Sequence, residues 1–198
     1  MKKTKNKKLT QIIDTALDLF MRFGFKRVSV EEICQTAGVS KMTFYKHFKN
    51  KTDLLLMLLN HIAEDQMEQY HNIMNCKIPY SEKINQIIRM KQETAEMMGQ
   101  ELFNDLYKNA PVEITQLLHK IGENMLSVVR DDFIQAQKDG DIRSDIKPDF
   151  ILYFMNHMID MVSDENLSRM YPSHKDLINE ITRFFFYGIL TESEAVKS

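Results

Sequence analysis

The stretch Ser29-Val30-Glu31-Glu32-Ile33-Cys34-Gln35-Thr36-Ala37-Gly38-Val39-Ser40-Lys41-Met42-Thr43-Phe44-Tyr45-Lys46-His47-Phe48 reads as two short helices joined by a tight turn. Ser29 with Glu32 three residues later is a capping box, which satisfies the free amides that open a helix. Ile33 and Ala37 face inward, and Gly38 ends the helix because glycine accepts left-handed backbone. Val39 plugs the turn. Ser40 is a second N-cap, opening a helix over 41–48 with Phe44 and Phe48 on one face. The opposite face presents Lys41, Met42, Thr43, Tyr45, Lys46 and His47. A helix fits the major groove of DNA. Cations and hydroxyls suit phosphate oxygens, and Thr or Met methyls suit a thymine methyl. The unit is a helix-turn-helix.

Working outward, Leu9, Ile12, Ile13, Ala16, Leu17 and Phe20 form one face of an amphipathic helix, stopped by Gly24 with Phe25 folding back. Downstream, Asn50 with Asp53 caps a long helix through Leu54, Leu55, Leu58, Leu59 and Ile62. Charge divides at the same place. Residues 1–51 hold 12 Lys and Arg against 4 Asp and Glu; the remainder holds 14 against 24. A basic head on an acidic body points to a polyanionic partner for the head.

The string from Thr10 to Phe20, Phe23-Gly24-Phe25, Ser29 to Ile33, Ala37 to Lys41, Thr43 to Phe48 and Lys49 to Leu55 resembles the N-terminal domain of the tetracycline-repressor (TetR) family, with every landmark in order. The resemblance covers about the first 60 residues. It implies base or phosphate contacts from Lys41 and Thr43, and phosphate contacts from Tyr45 and His47. Ser29 matches a phosphate contact at the start of the second helix, and Lys51 one at the start of the fourth; helix N-termini attract phosphate. Gln35 and Thr36 are further groove candidates, Lys46 shares the outer face, and Lys2, Lys3, Lys5, Lys7 and Lys8 form an arm for the DNA backbone. Met42 departs from the family pattern, which has a small residue or proline there, so it bears on which operator is read. Repression is the family habit.

The expected fold is all-α with about nine helices: a helix-turn-helix domain over 1–52, a linking helix from about 51, and a helical dimerisation and effector domain over 53–198. In that second part Ser81 and Ser173 are candidate caps, and Pro111 and Pro148 suit first helical positions. The segments Phe150–Val162 and Leu177–Leu190 are apolar nearly all round and need cover on both sides. The economical cover is a second copy, giving a homodimer through the last two helices. Met90, Met97, Phe103, Tyr107, Met125 and His157 are candidates to line a pocket for a small apolar or amphipathic effector.

Other classes fit poorly. No GxSxG, HExxH, P-loop or dinucleotide fingerprint occurs, so an enzyme is not expected, nor a metal or cofactor. Cys34 and Cys76 lie far apart without ligand spacing. No apolar run spans a bilayer, which makes a cytoplasmic protein with no membrane partner the simplest reading. A helical adaptor without DNA function is the alternative, but it would not need the cationic face on residues 41–51. The expected partner is a double-stranded, near-palindromic operator.

Overall fold

In the computed structural model, residues 7–108 and 110–191 are described, and they form ten helices. These are α1 (Lys7–Phe23), α2 (Val30–Thr36), α3 (Lys41–Tyr45), α4 (Lys51–Asn75), α5 (Tyr80–Met97), α6 (Gln100–Tyr107), α7 (Val112–Asp139), α8 (Pro148–Ser163), α9 (Glu165–Ser168) and α10 (His174–Ile189). Among the described residues the only extended pairing is one antiparallel bridge, Ile142 with Leu190. The helix beyond the expected nine is α9, a four-residue turn whose Leu167 amide donates to the Asp164 carboxylate at 2.8 Å.

Two compact units divide the chain. One comprises residues up to Asp65 together with Met97–Leu118; the other comprises Gln66–Glu96 and the chain from His119. This division by packing differs from the 1–52 and 53–198 reading. A domain of some 50 residues is marginal by burial alone, and α6 with the first turns of α4 adds to its core. Ile12, Ala16 and Phe20 of α1, Ile33 of α2, Phe44 of α3 and Leu54 and Leu58 of α4 pack with Leu102 and Leu106 of α6.

Local chemistry explains most boundaries in this unit. The Ser29 hydroxyl accepts from the Glu32 amide at 3.1 Å, and Ser40 from the Thr43 amide at 3.2 Å. Asn50 accepts from the Asp53 amide at 2.8 Å while Asp53 accepts from the Lys49 amide at 3.0 Å, a reciprocal cap on α4. The second helix of the motif is shorter than the expected 41–48. Regular α3 ends at Tyr45, yet the Phe48 amide still donates to the Phe44 carbonyl at 3.0 Å, so both rings stay on the buried side.

The second unit packs Tyr70 of α4, Ile84, Ile87 and Ile88 of α5, Val129 and Phe133 of α7, Ile151 of α8, and Phe185, Phe186 and Ile189 of α10 into one core. Ser81 does not cap α5 as expected: the helix starts at Tyr80, the Pro79 carbonyl receives the Glu82 and Lys83 amides, and Ser81 is buried inside the first turn. Pro111 likewise stands just ahead of α7, while Pro148 opens α8 and Ser173 caps α10 through the Asp176 amide as expected.

Gly24 and Gly38 both hold positive φ, +81° and +65°, but in different surroundings. A Cβ on Gly24 would lie 2.9 Å from the Asp105 carboxylate and 3.0 Å from Glu101 Cβ on α6, whereas one on Gly38 would meet nothing within 4 Å. Asp105 is itself engaged, accepting from the Lys26 amide at 2.8 Å. Gly38→Ala should therefore cost only the left-handed backbone term, about 1–2 kcal/mol. Gly24→Ala should lower the unfolding midpoint distinctly further, because α6 must also shift. Equal losses in thermal unfolding would show that α6 yields freely.

Candidate nucleic-acid interface and effector cavity

The outer face of the helix-turn-helix follows from its caps and its single fully buried ring. With Ser40 fixing the start of α3 and Phe44 buried beneath it, the residues on either side of Phe44 must point outward. Met42 is 85% exposed and Tyr45 55%, the latter braced edge-on against Phe44 with ring centroids 5.4 Å apart. Lys46 is exposed, as are Gln35 and Thr36 at the end of α2 and Ser29 at its start. Thr43 is half-buried and its hydroxyl lies 3.0 Å from that of Ser40. His47 is half-buried beside Phe48. Lys7 and Lys8 fall within α1; Lys2, Lys3 and Lys5 lie outside the described residues.

Two lysines behave in ways that residue type alone does not reveal. The Lys41 ammonium pairs with the Glu31 carboxylate across the motif. That hydrogen bond holds Glu31 below the usual carboxylate range and raises Lys41. The cation is thus partly neutralised on the face that would meet DNA. Lys51 points inward. Its ammonium donates to the carbonyls of Phe25 at 2.6 Å, Val28 at 2.7 Å and Lys26 at 3.2 Å, and lies 4.4 Å from the Phe25 ring centroid. Burial lowers its pKa, an effect that the nearby Asp105 carboxylate opposes. An ammonium has three donors, and all three are used inside the protein. The phosphate role that the resemblance assigns to Lys51 is therefore not open to this side chain as it stands, which acts as a positioning group for the turn before α2.

The pocket candidates separate. Met90 and Met125 line one cavity in the second unit, with Tyr70, Tyr80, Ile87, Lys91, Val129, Phe133, Met155 and Phe186. The room enclosed within it is about 20 Å³, little more than one water needs. Met97, Phe103, Tyr107 and His157 are not among its walls. Met97 is 63% exposed, and Phe103 is buried in the first unit, its ring tilted against that of Tyr107 with centroids 4.9 Å apart. The His157 Nδ1 lies 2.7 Å from the Tyr153 carbonyl and its ring packs on the Tyr153 ring at 4.1 Å. Sequence reasoning passed over Lys91, although it occupies a slot of the apolar stripe formed by Ile84, Ile87 and Ile88, seven residues beyond the first. A charged residue at such a slot is the signal that could have found it.

Residues 12–58 match the family model for bacterial regulatory proteins of the tetR family. Over this segment the chain is similar to the DNA-binding head of that family. An HTH-type transcriptional regulator of Bacillus subtilis (strain 168), YerO, is 38% identical over 68 residues, which are 34% of this chain and 24% of that relative. Solved structures extend the likeness to the whole fold. A TetR regulatory protein from Rhodobacter sphaeroides superposes with a TM-score of 0.74 at 20% identity, over 93% of this chain and all of that one. The transcriptional regulator FadR from Bacillus subtilis, in complex with stearoyl-CoA, superposes with a TM-score of 0.68 at 20% identity, over 91% of this chain and 99% of that one. The TetR-like head thus has sequence support of its own, while for the remaining helices the likeness to these structures is one of fold.

Lys51→Met removes the side-chain donor that, among the described residues, reaches all three turn carbonyls. The expected loss is about 1–3 kcal/mol for groups left unsatisfied, whereas Tyr45→Ala should stay within about 0.5 kcal/mol as a surface change. Chemical denaturation of both variants checks this. A Lys51→Met protein as stable as the parent would return the ammonium to a surface role.

Proposed function

We propose that this chain is a DNA-binding transcriptional regulator that acts as a homodimer on a near-palindromic operator, represses from it, and is released by a small-molecule effector. The observation that carries the reading is the outward row of Lys41, Met42, Tyr45 and Lys46 on a helix held by the Ser40 cap and the buried Phe44. Met42 is a large apolar side chain left almost wholly in water, where a thymine methyl would cover it. Ser29, Gln35, Thr36, Thr43 and His47 border that row. The short run of α3 suits readout by its first residues, as in other helix-turn-helix proteins.

Dimerisation rests on a second observation. Phe150, Tyr153, His157 and Met161 follow one another at helical spacing along α8, and Phe150 and Tyr153 are 60% and 64% exposed. On α10, Phe184 is 76% exposed while its neighbours Phe185 and Phe186 are buried. An apolar face of this extent is normally an interaction surface. A second copy, placing two recognition helices about 34–36 Å apart, would match successive major grooves. The FadR relative holds stearoyl-CoA, and the cavity lined by Met90, Met125 and Met155 supports an effector for this chain as well. No helix among the described residues is long and apolar enough to cross a membrane.

A double substitution, Tyr153→Glu with Phe184→Glu, should give monomers by analytical ultracentrifugation and cut operator affinity by at least a hundredfold, with helicity unchanged. Persistence of the dimer would move the interface elsewhere. At the head, binding should fall linearly in log–log form with salt, at a slope of roughly −0.9 per phosphate neutralised. Glu31→Gln frees Lys41 from its partner, so duplex affinity should rise at low salt and the slope should steepen by about 1. Absence of any duplex binding in dilute buffer would end the regulator reading.

A further inference from the structure

The cavity in the second unit has a chemical polarity. Ile87, Met90, Met125, Val129, Phe133, Met155 and Phe186 are apolar, and Lys91 is the one charged group on its wall. Lys91 makes no hydrogen bond or ion pair among the described residues, unlike Arg89 two positions earlier, which is tied to Glu82 at 3.0 Å. Its side chain is half-buried, and desolvation lowers its pKa. An ammonium placed against an apolar cavity without a counter-charge is unfavourable unless something supplies one. Tyr80, eleven residues earlier on α5, is buried and its hydroxyl has no partner. Burial first, and the carboxylates of Asp132 and Asp141 next, hold that hydroxyl protonated and hence a donor. Eleven residues are about three turns, or roughly 16 Å of rise, and return to nearly the same helix face. Lys91 and Tyr80 therefore cannot share one small head group; they stand well apart along one helical row.

Resting on the reading of this cavity as the effector site, we propose that the effector is an amphipathic monocarboxylate whose acid group is bound by Lys91 and whose apolar body lies along Ile87, Met90 and Phe133 toward Tyr80. One cation balances one negative charge, so a dianionic phosphate head would be left half-compensated. Only about 20 Å³ is enclosed between the walls, so a chain enters as the flexible thioether side chains move apart. Tyr80 makes no demand on the acid; its free donor would select an oxygen substituent carried by the far part of the body.

The test uses the full chain with laurate, dodecanol and dodecyl phosphate as probes, read by isothermal titration and by release of operator DNA. Laurate should bind at least tenfold more tightly than dodecanol and more tightly than dodecyl phosphate. Lys91→Met should weaken laurate tenfold or more and leave dodecanol unchanged, while Tyr80→Phe, which keeps the cavity shape, should leave laurate within twofold. The empty Lys91→Met protein should melt at the same or a higher temperature, because it loses an uncompensated charge. A lower melting temperature would show that the ammonium is structural and would overturn the proposal. Equal binding of laurate and dodecanol, with DNA released by both, would overturn the carboxylate assignment and keep the effector cavity. Tighter binding of dodecyl phosphate would replace the acid by a phosphate. If no probe binds at millimolar concentration, the effector reading of this cavity falls with the proposal.

Discussion

The ammonium of Lys51 closes the turn between α1 and α2 by donating to three of its carbonyls. Between the end of α1 and the start of α2 the chain reverses through Phe25, Lys26, Arg27 and Val28, and three of its carbonyls face the same point. Buried carbonyls without a donor are costly. One lysine from the first turn of α4 supplies three, and its charge rests against the Phe25 ring. On the other side of the same turn the Lys26 amide is held by Asp105 of α6, and the Gly99 amide donates to the Met21 carbonyl at 3.0 Å. The start of α2, and with it the angle at which α3 is offered, thus depends on groups from α4 and α6. A helix-turn-helix of some twenty residues cannot hold its own geometry by burial alone.

This arrangement sorts the cations of the head by task. Lys51 is structural, Lys41 is paired with Glu31, and Lys46 carries its charge on the exposed outer face. A net positive head is visible in composition; how much of that charge faces outward depends on these pairings. The second unit shows the same division between apolar residues. Phe185 and Phe186 belong to its core and Phe184 to its surface, although the three are consecutive, because a helix turns each by about 100° and only one side is covered within the chain.

The all-α class, the helix-turn-helix and most helix starts were legible in the sequence because they rest on local rules. Ser29, Ser40, Asn50 and Ser173 act within three residues of themselves, and the apolar spacing in α1 needs no knowledge of what it packs against. The failures share a cause. Ser81 has the residue type of a cap but sits one position inside the helix, where the Pro79 carbonyl already does that work. Phe103 and Tyr107 have the look of pocket residues, yet they contact one another in the first unit and are not among the walls of the cavity that Met90 and Met125 line.

What the chain order alone determined is therefore short-range: where helices begin, which face of each is apolar, and that a basic head precedes an acidic body. What tertiary structure decided is which polar atoms find each other across long separations. Lys51 reaches back 26 residues to Phe25, Lys26 reaches forward 79 to Asp105, and Lys91 reaches nothing among the described residues. The reason is physical. A cap or a helical stripe is stabilised within one or two turns, whereas the partner of a buried charge is set by which distant segments happen to be packed beside it, and no local pattern encodes that.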